Sequence, residues 1–152
     1  MTVNELHARF PYMFTGPHLG RTHFRGWFPI FAQLCIAIDV LLGADKRGFR
    51  WVQVKQKYGT ARFYFETTAP SNAPWFQAPE EPDFVEHFLT ALVDQAEKLT
   101  ESACIRCGAP AEVMHLDSYV WTLCPAHRPP IGAQRPQLLN FLHRMRRDLY
   151  AE

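Results

Sequence analysis

Two short pairs of metal-binding residues, late in the 152-residue sequence, constrain its fold more than any other feature. The first pair is Cys104 and Cys107, and the second, after sixteen intervening residues, is Cys124 and His127. In each pair two residues separate the side chains, a spacing with which a tight turn directs both toward one ion. Three thiolates and one imidazole suit tetrahedral zinc, and four protein ligands leave no position for a reactive water. We therefore expect one structural Zn2+ ion.

The residues between the two pairs predict how the chain brings them together. A hairpin with strands at Glu112–Leu116 and Tyr119–Leu123, turning at Asp117 and Ser118, returns the second pair to the first. Gly108 follows the first pair, where such a turn commonly needs a positive φ.

Other readings of the cysteines remain open at this point. The three cysteines could be free thiols beside a chance histidine, or the four side chains could be ligands of an iron–sulfur cluster, although a histidine is less common there. His115 is a spare candidate ligand on a predicted strand. Cys35 lies in an apolar helical pattern and is predicted to be a small buried hydrophobe.

The remaining periodicities predict an α+β fold, in which a small antiparallel sheet is packed by helices. We expect a body at residues 1–102, a zinc-ribbon or treble-clef-like lobe at 103–128 and a basic amphipathic helix at 129–152. The predicted elements of the body and tail are helices at Asn4–Arg9, Trp27–Leu42, Asp83 to about Ser102 and from Pro136, and strands at Phe49–Gln56 and Ala61–Thr67.

Alternation along the first hairpin predicts which side chains face outward. If Val52, Val54, Phe63 and Phe65 face the core, the opposite face carries Trp51, Lys55, Arg62 and Tyr64. Interleaved aromatic and basic side chains of this kind can stack bases and contact phosphates, so this face is a candidate nucleic-acid surface.

Two further regions supply candidate contacts to a partner. Trp75 and Phe76 lie in the proline-rich segment 68–82, and Arg144 and Arg147 lie on the polar face of the last helix. Aromatic and arginine side chains dominate the energetics of protein interfaces. The net charge of +1, from sixteen basic and fifteen acidic residues, gives no general attraction to nucleic acid or anionic lipid.

Several functional classes find no support in the sequence. None of the seven histidines stands in a recognisable catalytic arrangement, and no phosphate-binding glycine loop is present, so we do not expect an enzyme. No apolar run reaches the length of a membrane span, and the first residues lack the pattern of a secretory signal. The expected location is the cytoplasm, with no membrane partner.

Three motifs together carry a resemblance to a family. They are Gly26-Trp27-Phe28-Pro29, the hairpin stretch from Val52 to Gly59, and the segment from Cys104 to His127. In this order they resemble a group of uncharacterised small bacteriophage and prophage proteins with a helix–hairpin–helix body and a C-terminal zinc ribbon. The resemblance implies a role in the bacterial host cytoplasm but brings no defined chemistry with it.

These observations favour a non-catalytic, zinc-stabilised accessory protein that binds a host protein or complex. Inhibition of a host enzyme or defence complex is one such role. The alternative is a nucleic-acid-binding protein that uses the basic and aromatic face of the first hairpin.

Overall fold

The computed structural model describes residues 1–16, 23–68 and 83–151, and within them the chain is an α+β protein. The described helices are α1 (Val3–Arg9), α2 (Phe28–Leu42), α3 (Phe84–Thr100) and α4 (Arg135–Arg147). The strands form two antiparallel hairpins, β1 (Arg50–Lys57) with β2 (Thr60–Glu66), and β3 (Glu112–Leu116) with β4 (Tyr119–Leu123). None of the described helices combines the length and the apolar character that crossing a membrane requires.

The first two helices end at the predicted residues and begin within one residue of the predicted starts. Thr2 caps α1 through a reciprocal pair of hydrogen bonds with Glu5, which satisfies donors that the first turn leaves free. Pro29 lies in the first turn of α2, and Gly43 ends the helix with a positive φ of 61°. Cys35 is fully buried on α2, as predicted, and burial raises the pKa of its thiol to about 12.

The first hairpin has a tight turn, and its faces differ from those that the sequence predicts. Tyr58 and Gly59 both have positive φ, which is typical of the two-residue turn whose twist matches that of the strands. A β-bulge between Trp51 and Gln53 then reverses the alternation near the start of β1. Trp51 is therefore buried, and Val52 is exposed. The prediction that Trp51 faces outward and Val52 inward was wrong because the bulge adds one residue to the strand.

Aromatic side chains from α2 and the first hairpin form the centre of the core. The ring of Phe31 lies 5.1 Å from the rings of both Trp51 and Phe63, and Phe49 packs edge-on against Trp51 at 5.0 Å. Contacts at these distances add to the burial of large apolar surfaces. The burial of Trp51, the largest side chain of the strand, therefore compensates for the strand pairing that the bulge disrupts.

Asp83, the predicted first residue, is the N-cap of helix α3, which covers the outer edge of β2. The Asp83 carboxylate accepts hydrogen bonds from the backbone of Val85 and Glu86. The Glu86 carboxylate accepts a hydrogen bond from the Thr67 hydroxyl at 2.9 Å. Near the other end of the helix, Thr100 is fully buried.

The second hairpin forms at the residues that the sequence predicts, and it packs on the first. Thr122 donates its hydroxyl proton to the Gly59 carbonyl, and the Gln56 side chain donates to the Val120 carbonyl at 2.7 Å. After α4, Tyr150 forms an isolated antiparallel bridge with Phe24. The cysteine-rich segment contacts the body through the Gly26 amide and the end of α4 through an ion pair between Arg106 and Asp148.

Candidate metal centre

The first pair of ligands lies on a tight turn that the backbone holds firmly. The amide of Cys104 donates to the Ala109 carbonyl, and the amide of Gly108 donates to the Cys104 carbonyl, both at 2.8 Å. Gly108 has a φ of 78°, as its position after the first pair predicts. This geometry directs the Cys104 and Cys107 side chains to the same side of the turn.

The second pair follows β4 on a short 3-10 turn, Pro125–His127. The His127 amide donates to the Cys124 carbonyl at 2.9 Å, which closes the turn. The Ile105 amide, between the first two ligands, donates to the Thr122 carbonyl at 3.0 Å. This bond fixes the two turns relative to each other.

The four predicted ligands converge. Their donor atoms all lie within 4.8 Å of one another. The His127 Nδ1 atom is 3.5 Å from Cys104 Sγ and 3.3 Å from Cys124 Sγ, and the Cys107 and Cys124 sulfurs are 3.7 Å apart. Cys104 and Cys124 are buried, and Cys107 is exposed. The cluster is compatible with a site for one metal ion.

The surroundings shift the pKa values of three of these side chains, two downward and one upward. Burial raises the pKa of Cys104, but backbone N–H groups of Cys124, Cys107 and Arg106 lower it, and the net pKa lies below the ordinary value. Burial and the neighbouring thiols Cys124 and Cys104 raise the pKa of Cys107. Burial, and then the charge of Arg106, lower the pKa of His127, which favours the neutral imidazole that binds metals.

Two residues outside the cluster dock its first turn onto the body. The Gly26 amide donates to the Ile105 carbonyl at 2.9 Å, and the buried Trp27 indole donates to the Ala103 carbonyl at 2.7 Å. A methyl group on Gly26 would lie 2.0 Å from the Cys104 carbonyl oxygen. Sequence reasoning recognised Gly26 and Trp27 as a motif but not their contact with the metal-binding turn, almost eighty positions away.

The candidate contacts on the first hairpin do not form one free surface. Trp51 is in the core, and Arg62 donates to the Glu97 carboxylate at 3.1 Å. The Lys55 ammonium lies 4.7 Å from the centre of the Tyr64 ring, and Tyr64 is exposed. The predicted set of four is therefore reduced to a lysine–tyrosine pair.

Of the other candidate residues named from the sequence, three are exposed and two lie outside the described ranges. Arg144 and Arg147 are exposed on α4. Trp75 and Phe76 lie outside the described residues. His115, the spare candidate ligand, is exposed on β3 and does not belong to the cluster of four.

Comparison with known proteins adds no relative: no family model, no curated protein and no solved structure matches the chain.

Proposed function

We propose that the Cys/His cluster binds one structural zinc ion. Zn–S and Zn–N bonds of about 2.3 and 2.0 Å in a tetrahedron place the donor atoms ~3.5–3.8 Å apart. The three close separations, 3.3, 3.5 and 3.7 Å, agree with this size. Four protein donors complete the tetrahedron, so the role assigned to the ion is to hold the two turns together rather than to activate a substrate.

We further propose that this scaffold serves a non-catalytic protein that binds a partner protein. The observation that carries this proposal is an apolar groove of about 390 Å³ between α2 and α3, called here the α2–α3 groove. Ile30, Leu34 and Ala37 line it from α2, and Leu92 and Leu99 line it from α3. A groove of this kind accepts the apolar face of a helix from another protein.

The exposed aromatic residues of α3 support the same role. Phe84 is 62% exposed and Phe88 is 53% exposed, and at helical spacing they continue the row formed by Leu92 and Leu99. Helix α3 therefore has one apolar face in the core and a second one in contact with solvent. Contiguous apolar surface at the edge of a protein indicates a binding surface.

The resemblance to phage and prophage proteins suggests the kind of partner. We propose a protein of the bacterial host, contacted in the host cytoplasm, with inhibition of a host enzyme or defence complex as the biological consequence. This proposal rests on the sequence motifs, whereas the location of the binding surface rests on the exposed apolar row.

A capture experiment with matched variants tests the proposed surface. The tagged protein, a Phe88→Asp/Leu99→Asp variant and a Val40→Asp control are incubated with nuclease-treated host lysate. Val40 is 77% exposed on α2 and does not line the groove, so its substitution controls for placing an aspartate on an exposed apolar position outside the surface. We expect a host protein that crosslinks to α3, is retained by the control and is lost from the double variant. Equal retention by all three proteins would contradict the proposed surface.

Nucleic-acid binding is the second candidate, and the Lys55–Tyr64 pair is the observation that favours it. A base stacked on Tyr64 would place a phosphate near the Lys55 ammonium. Titration with a fluorescent single-stranded oligonucleotide at increasing salt tests this role. Affinity that falls steeply with salt and is lost in a Tyr64→Ala variant would support it, and no binding at low salt would exclude it.

A further inference from the structure

The hydrogen-bond ladder of the first hairpin leaves one strand edge available. In a hairpin with a two-residue turn, the flanking residues Lys57 and Thr60 form a hydrogen-bonded pair, and bonding then alternates along the strands. Gln56 and Val54 therefore belong to non-hydrogen-bonded pairs, and their backbone N–H and C=O groups point away from β2.

Contacts on the other strand confirm this alternation independently. Ala61 and Phe63 are the β2 partners of Gln56 and Val54. Their amides point away from β1 and donate to side chains of α3, Ala61 to the Thr100 hydroxyl at 2.9 Å and Phe63 to a Glu97 carboxylate oxygen at 2.7 Å. Helix α3 thus supplies acceptors for these two backbone amides on the outer edge of β2.

Among the described residues, no helix supplies equivalent hydrogen-bond partners to the outer edge of β1. Within the described part of the chain, the backbone groups of Val54 and Gln56 form no bond outside the hairpin ladder. Residues 54–56 instead line a crevice of about 490 Å³, called here the β1 crevice. Ile105, Tyr119 and Trp121 line it from the metal-binding lobe, and Arg146 and Tyr150 line it from the C-terminal segment.

The charges in the β1 crevice are of one sign. Lys55 and Arg146 are its charged lining residues, and no carboxylate lines it. Among the described residues neither of these cations forms an ion pair. Lys55 instead lies over the Tyr64 ring at 4.7 Å, and Arg146 lies over the Tyr119 ring at 4.8 Å. Within the described ranges, neither positive charge has a carboxylate partner, so both can pair with acidic groups of a ligand.

We propose that the β1 crevice binds an extended, acidic segment of a partner protein, which pairs with β1 as a third strand. The backbone of the segment would bond to Val54 and Gln56, and acidic side chains would reach Lys55 and Arg146. The inference rests on the proposed protein-binding function but concerns a surface distinct from the α2–α3 groove.

Amide hydrogen exchange and a defined peptide test the proposal. In the free protein we expect the Lys55 amide, which belongs to the ladder, to exchange more slowly than the amides of Val54 and Gln56. The probe is a short capped peptide that alternates glutamate with valine, and its control alternates lysine with valine. We expect the glutamate peptide alone to bind and to slow exchange at Val54 and Gln56. N-methylation of the peptide on its pairing edge should abolish binding.

Charge-reversal variants assign the site. Lys55→Glu and Arg146→Glu are each expected to weaken peptide binding by about tenfold. Lys98→Glu, an exposed site on α3, should leave it unchanged. The Phe88→Asp/Leu99→Asp variant should also bind the peptide normally. The experiments therefore distinguish a wrong proposal for the α2–α3 groove from a wrong proposal for the β1 crevice.

Three results would overturn the proposal. They are equal binding of the two peptides, unchanged exchange at Val54 and Gln56, and an oligonucleotide that occupies the crevice when the glutamate peptide does not.

Discussion

Replacing Gly26 with alanine probes the contact between the body and the metal-binding lobe. The added methyl carbon would lie 2.0 Å from the Cys104 carbonyl oxygen and 2.7 Å from the Cys107 amide nitrogen. All three atoms nearest to it belong to backbone that holds the metal-binding turn, so none can move aside as a flexible side chain can. The turn must therefore shift away from the body.

The cost of that shift follows from the contacts that it breaks. Forcing extra atoms into a packed interior costs ~1–3 kcal/mol. Separating the turn from the body also removes the acceptor of the buried Trp27 indole, and an unsatisfied buried donor costs ~1–3 kcal/mol. Together with the lost Gly26–Ile105 hydrogen bond, we expect Gly26→Ala to lower the free energy of unfolding by about 3–6 kcal/mol.

Urea unfolding of the zinc-loaded proteins, with chelator competition for zinc affinity, measures this effect. Gly132→Ala is the matched control, because its added carbon has no neighbour within 4 Å and its positive φ of 75° accounts for a loss of only about 1 kcal/mol. A Gly26→Ala protein within about 1 kcal/mol of the control, with unchanged zinc affinity, would refute the reasoning.

Three further predictions concern the metal, a buried histidine and a strand edge. Cys107→Ser should lower zinc affinity by more than about 100-fold in chelator competition, whereas Cys35→Ala should keep one zinc per chain. Burial, and then the charge of His7, lower the pKa of His23 from 6.5 to about 4, so the unfolded chain takes up the proton first as the pH falls between these values. The wild-type protein should therefore lose about 3 kcal/mol more than His23→Gln on acidification, and parallel urea titrations would contradict this. Thr100→Val should cost about 1–3 kcal/mol in urea unfolding, because it leaves a buried backbone donor on β2 without its acceptor, and unchanged stability would contradict that role.

Local sequence was sufficient to predict the Cys/His cluster. The spacings within each pair, and a hairpin of two five-residue strands between them, bring the four ligands together without reference to the rest of the chain. The helix start at Asp83 was equally local, because a capping side chain contacts an amide two or three positions along.

The faces of the first hairpin and the docking of the lobe depended on distant contacts. Alternation places Trp51 outward unless a bulge intervenes, and the bulge is favoured by the space between Phe31 and Phe63, which only the folded core defines. Similarly, no local pattern connects Gly26 with the turn at Cys104. A glycine in an ordinary conformation carries no signal of the backbone that lies against it.

The charged surfaces also combine features that local sequence predicts with features that depend on distant contacts. Lys55, Arg62 and Tyr64 were correctly placed on the hairpin, but their ability to bind a ligand depends on α3 and α4. Glu97 of α3 pairs with Arg62, and Arg146 of α4 joins Lys55 at the β1 crevice. Composition can predict a basic face, but only the packing of the helices shows which cations remain unpaired.

X-ray absorption spectroscopy of the purified protein, with elemental analysis of the same sample, tests the central claim most directly. The account predicts one zinc per chain in a shell of three sulfur atoms and one nitrogen atom. A folded protein without stoichiometric metal, or a zinc shell that contains a water oxygen in place of one of these ligands, would contradict it.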